Sequence, residues 1–100
     1  MIVIISGTNR DGSLSSVFSR ALNEIYQEKG MDSKVLELSE LPPETFSPSA
    51  YTDKPGKVLE FTNEILNTAG LVIVVPEYNG SMPGALKLFI DLLPYPDSFE

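Results

Sequence analysis

The sequence contains no cysteine and no histidine. Without cysteine there is no disulfide scaffold, no thiolate metal site and no thiol nucleophile. Without histidine the usual general base is missing, and so is the commonest zinc ligand, which closes Ser-His-Asp and Cys-His schemes. No metal site is expected. Basic residues are scarce: 7 Lys and Arg against 14 Asp and Glu give a formal charge of −7, which argues against nucleic acid and anionic membrane as partners. No apolar run approaches the roughly 20 residues needed to span a bilayer. Met1 leads straight into Ile2-Val3-Ile4-Ile5 with no basic start, which is not a signal peptide. A soluble, cytoplasmic protein is the expectation. Asn79-Gly80-Ser81 matches a glycosylation sequon, an accidental match if the protein is not secreted.

What is present suffices for one small domain: 100 residues, 42% apolar and 21% charged, a composition that can bury a core. Ile2 to Ile5 is a short β-branched run suited to a strand buried on both faces. Leu14, Val17, Phe18, Ala21, Leu22 and Ile25 then recur at spacings of three and four, which predicts an amphipathic helix capped by Ser13 and stopped by Gly30. Lys34 to Leu38 mixes polar and apolar residues, as a strand nearer the sheet edge does. Leu41 to Lys54 reads as a loop. Pro55, with Asp53 near the cap, opens a second helix whose apolar stripe is Val58, Phe61, Ile65 and Leu66. Leu71 to Val75 is another continuous apolar strand, and Ala85 to Leu93, with Pro83 in its first turn and Pro94 as its stop, is a third helix.

The order is β-α-β-α-β-α, which implies a parallel sheet with right-handed crossovers. The two fully apolar strands, first and third, belong at the centre and the mixed second strand outside the first. The spatial order is then 2-1-3, the opening of a flavodoxin-like, doubly wound sheet. A hairpin at Asn79-Gly80 is the local alternative, disfavoured because Ala85 to Leu93 does not alternate. Three strands make half of such a sheet, and the third would show an unpaired apolar edge. Residues 1–100 are expected to be one domain, truncated after the third helix, or else to pair that edge with another chain.

Two loops leave the carboxyl ends of the first and third strands, where ligands bind in open α/β sheets. Ser6 to Ser16 precedes a helix N-terminus, which attracts anions through free N–H groups and the helix dipole. Thr8, Ser13 and Ser15 offer hydroxyls, Arg10 a permanent charge, and Gly7 and Gly12 close approach. Gly12 is followed by Ser13-Leu14, so the Walker pattern is absent; Gly-x-Gly-x-x-Gly is absent too. A terminal monophosphate suits this loop, with an ordinary serine-capped polar loop as the plain alternative. Pro76 to Lys87 is more distinctive. Tyr78 can lie against a ring, and Asn79, Gly80 and Ser81 offer polar groups to its edge, which suits a flat heterocycle.

With Gly7-Thr8-Asn9-Arg10, Ser13 and Ser15, and with Pro76-Glu77-Tyr78-Asn79-Gly80-Ser81, Pro83-Gly84 and Leu86-Lys87, the sequence resembles the NADPH-dependent FMN reductase family and its azo-, quinone- and chromate-reducing relatives. The resemblance runs through essentially the whole chain. It implies that Thr8, Arg10, Ser13 and Ser15 bind the phosphate of FMN, and that Pro76, Glu77, Tyr78, Asn79, Gly80 and Ser81 form the lip of the isoalloxazine pocket. It implies two further strands, the loop after the fourth completing the ring site, and a homodimer or homotetramer, with the apolar third helix as an interface. The implied activity is hydride transfer from NADPH or NADH through flavin to FMN, quinone, azo or similar small acceptors. No side chain is assigned as a catalytic acid or base, because the cofactor carries the chemistry. The alternatives are a flavodoxin-like electron carrier and a half-domain that binds no flavin. At single residues, Glu77 as a solvated carboxylate, Tyr78 packed on a helix, Lys87 and Asp91 as surface residues, and Asp11 turned outward from the phosphate stand as plain readings.

Overall fold

The structure, a computed structural model, describes residues 1–10, 12–76 and 81–94. Its first strand, β1 (Ile2–Ser6), buries Val3, Ile4 and Ile5 almost completely, as a strand covered on both faces must. β2 (Ser33–Glu37) and β3 (Gly70–Val74) pair with it in parallel on either side. The order is β2-β1-β3, as the hydrophobic patterns predict. Helix α1 (Leu14–Glu28) joins β1 to β2, α2 (Gly56–Leu66) joins β2 to β3, and α3 (Gly84–Leu92) follows β3.

The helix ends follow from local chemistry. The Ser13 side chain accepts the Ser16 N–H at 3.1 Å, the expected cap of α1. Gly30, at φ +77°, takes the left-handed conformation that ends it. Pro55 and Pro83 stand at the N-caps of α2 and α3, one position before the first helical residue. Asp53 provides no capping hydrogen bond to α2. The segment 41–54, expected as a loop, contains short 3-10 turns at Pro43–Phe46 and Pro48–Tyr51, each opened by a proline whose fixed φ suits a first turn. A further turn, Leu38–Glu40, takes Leu38 out of β2.

The two faces of the sheet differ. On one, Val3, Ile5, Leu36 and Leu38 pack against Val58, Phe61 and Ile65 of α2 and Leu86, Phe89 and Leu92 of α3. Phe61 and Phe89 meet edge to face at 6.1 Å. On the other, α1 presents the small side chains Ser15 and Ser19 to the sheet. The third strand, β3, shows the open apolar edge expected of half of such a sheet. Among the described residues nothing pairs with its outer edge, and Ile73 is 37% exposed.

Candidate functional site

The site begins where β1 and β3 end. Gly7 follows β1 directly, and its N–H donates to the Val74 carbonyl at 2.8 Å, lacing the start of one loop to the end of the neighbouring strand. A Cβ on Gly7 would lie 2.8 Å from that same carbonyl oxygen, so only glycine permits this approach. Next, Arg10 N–H donates to Thr8 Oγ1 at 3.3 Å, folding the loop back on itself before α1 starts.

The outcome is a cavity of about 280 Å³ lined by Arg10, Gly12, Ser13, Leu14, Ser15 and Pro76. It joins the two loops singled out in the sequence, since Pro76 comes from the segment after β3. The first turn of α1 opens onto it, with unpaired N–H groups and the positive end of the helix dipole. A guanidinium, two serine hydroxyls and that helix terminus form a donor set for an anion with several acceptor oxygens. The volume is near the lower end for small-molecule sites, so it suits a phosphate and its ester chain better than a whole dinucleotide.

Of the expected phosphate ligands, the cavity brings Arg10, Ser13 and Ser15 together. Thr8 is buried beneath the loop and is not among the lining residues. Pro76 forms part of the wall, while Ser81 is exposed next to the start of α3 and does not line this cavity. Glu77, Tyr78, Asn79 and Gly80 lie outside the described residues, as does Asp11. Lys87 and Asp91 pair with each other across one turn of α3 at its exposed side, the surface role expected of them.

One residue that supports the site without lining it was not singled out from the sequence. Glu37 ends β2, is 6% exposed, and accepts Ser16 Oγ–H at 2.9 Å as well as an N–H of Arg20. Because Ser16 is also the residue whose N–H is capped by Ser13, the carboxylate fixes the first turn of α1 and thus the rim of the cavity. The available signal was a lone acid at the carboxyl end of a half-apolar strand. Among the described residues no helix is long and apolar enough to cross a membrane.

Comparison with known proteins bears on this arrangement. The model of one family, NADPH-dependent FMN reductase, matches residues 1–100. The chain is similar to "NADH-dependent flavin reductase subunit 2" of Lactobacillus johnsonii, at 33% identity over 86 residues, covering 86% of this chain and 44% of the relative. It is similar to a "Quinone reductase" of Escherichia coli, at 30% identity over 92 residues, covering 92% of this chain and 49% of the relative. Among solved structures, an NADH:FMN oxidoreductase in its apo form superposes with a TM-score of 0.78 at 26% identity, over 93% of this chain and 49% of the other. The chain thus spans about half the length of the relatives it matches, and its three strands and helices have the flavodoxin-like arrangement.

Proposed function

We propose a flavin-dependent oxidoreductase role from a firm premise: the chain belongs to the NADPH-dependent FMN reductase family. The observation that carries the reading is the single cavity joining Arg10, Ser13 and Ser15 to Pro76 at the carboxyl ends of adjacent strands. In this reading the cavity takes the phosphate of FMN. Arg10 supplies charge, Ser13 and Ser15 supply hydroxyls, and the first turn of α1 supplies N–H groups. Thr8, buried under the loop with its Oγ1 on the Arg10 N–H, holds the loop's shape from below. Pro76 and Ser81 flank the segment that would border the flavin ring, together with Glu77, Tyr78, Asn79 and Gly80.

A bound flavin would supply the hydride and electron transfer. The protein's part is to anchor the phosphate, orient the ring through that anchor and leave one face of the ring open. That division of labour agrees with a chain that has neither histidine nor cysteine. The co-substrate is NADPH or NADH, and the acceptor is a small molecule of the FMN or quinone class, the chemistry named for the relatives.

The test is the visible spectrum of the purified protein with FMN, followed by NADH and NADPH oxidation with a quinone present. A flavin-loaded protein that consumes either nucleotide supports the reading. A flavin-loaded protein that consumes neither is an electron carrier, and a protein that takes up no flavin rejects the site itself.

A further inference from the structure

The N-terminal end of α1 serves two neighbours. Toward the segment after β3 it lines the cavity through Ser13, Leu14 and Ser15. Toward β2 it meets Glu37, whose Oε2 accepts Ser16 Oγ–H at 2.9 Å. Arg20, one turn further along α1, donates to that same carboxylate oxygen. The Glu37 side chain is 8% exposed and that of Arg20 65%. A buried carboxylate is thus compensated by a cation that reaches it from water. Among the described residues no other cation pairs with Glu37. Neither Arg20 nor Glu37 lines the cavity.

The carboxylate is nevertheless close enough to act on an anion there. Ser13 Oγ accepts the Ser16 N–H at 3.1 Å, and Ser16 in turn bonds Glu37. Two hydrogen bonds and one serine keep Glu37 Oε2 within about 10 Å of Ser13 Oγ, roughly one Debye length at moderate salt. The helix dipole favours a carboxylate at this end of α1, as it favours a phosphate in the cavity. Two anions sharing one helix terminus repel each other, and the protein between them screens less than water does. With Arg20 in place, the pair is close to neutral at that distance. Without it, a phosphate would enter the field of an uncompensated, largely buried charge.

We propose that the Arg20–Glu37 pair sets the affinity of the cavity for phosphate: Arg20 offsets the Glu37 charge and so raises that affinity without touching the ligand. Both are positioning residues, acting through Ser16 and through their charges. Applied to FMN, the inference rests on the flavin reading; applied to a phosphate anion alone, it does not.

Charge balance and mechanical support predict different signs. If the pair only held α1 in place, loss of either partner would loosen the cavity rim, and phosphate binding would weaken in both cases. If charge balance matters, Arg20→Gln leaves a net negative pair and weakens phosphate binding. Glu37→Gln leaves a net positive pair and strengthens it, while its amide oxygen still accepts from Ser16.

The test is the ratio of FMN to riboflavin affinity, measured by calorimetric titration of the 100-residue chain and its variants at one ionic strength. Arg20→Gln should lower the ratio about three- to tenfold, the size of a unit charge at this range. Arg20→Lys should keep it, Glu37→Gln should raise it, and the double change Arg20→Gln with Glu37→Gln should return it close to the starting value. Arg20 is exposed, so its two variants decide the point even if Glu37→Gln fails to fold. A ratio that Arg20→Gln leaves unmoved overturns the proposal, as do two glutamine changes that shift it in the same direction, or a folded Glu37→Gln that does not shift it. If neither flavin binds, the flavin reading falls, and the same proteins are titrated with inorganic phosphate at constant ionic strength while the thermal midpoint is followed. The same order of phosphate affinities keeps the proposal, and a midpoint that phosphate raises in none of them overturns it.

Discussion

Arg10 is exposed and lines the cavity, where its guanidinium can meet an anion. A charge-assisted hydrogen bond of this kind contributes about 1.5–3 kcal/mol, or roughly a 10- to 100-fold change in affinity. Arg10→Ala is therefore expected to weaken FMN binding by about that factor while leaving riboflavin, which has no phosphate, unaffected. Calorimetric titration of both ligands checks this, and an equal loss for both would remove Arg10 from the phosphate. Gly7 is constrained in a different way. Its missing Cβ is what lets Val74 O approach, so Gly7→Ala forces the β1 and β3 ends apart. The expected cost is about 1–3 kcal/mol, as for other insertions into packed sites, visible as a lower urea midpoint. An unchanged midpoint would mean that the two loops are not held together there.

At the scale of elements, periodicity and punctuation carried most of the fold. The β-branched run at Ile2, the three- and four-residue spacing from Leu14, and the serine and glycine that bound α1 all act locally, so they were legible in sequence. One property was not, because it depends on neighbours. An amphipathic stripe such as Leu14, Phe18 and Ile25 gives a helix without saying what it faces, and here the sheet receives Ser15 and Ser19 instead. The site divides in the same manner. The hydroxyls and arginine of the first loop were visible as residue types, and the cavity unites Arg10, Ser13 and Ser15 with Pro76. Glu37 was hidden because its role is set by α1 crossing β2, a contact 21 residues away in sequence. That tie can be measured. Glu37→Ala should destabilise the protein by about 1–3 kcal/mol, and Glu37→Gln by less, because an amide oxygen still accepts from Ser16. Thermal unfolding of the pair checks the order, and equal effects would show that the charge, not the Ser16 bond, holds α1.

At the scale of the whole molecule, the two faces of the sheet differ among the described residues. The face covered by α2 and α3 holds the apolar core, whereas the α1 face ends in a bare row of side chains beside β3, whose outer edge pairs with no described residue. The candidate site lies at the carboxyl ends of β1 and β3, where the sheet order reverses, which is where doubly wound sheets bind ligands. A net charge of −7 repels a phosphate ester at long range, so any affinity must come from the local donors of the cavity. The most direct measurement is a paired titration of the purified chain with FMN and riboflavin, followed by flavin fluorescence. The phosphate cradle predicts that FMN binds at least tenfold tighter and that Arg10→Ala narrows the difference. Equal affinity for the two flavins, or no binding of FMN, would contradict it.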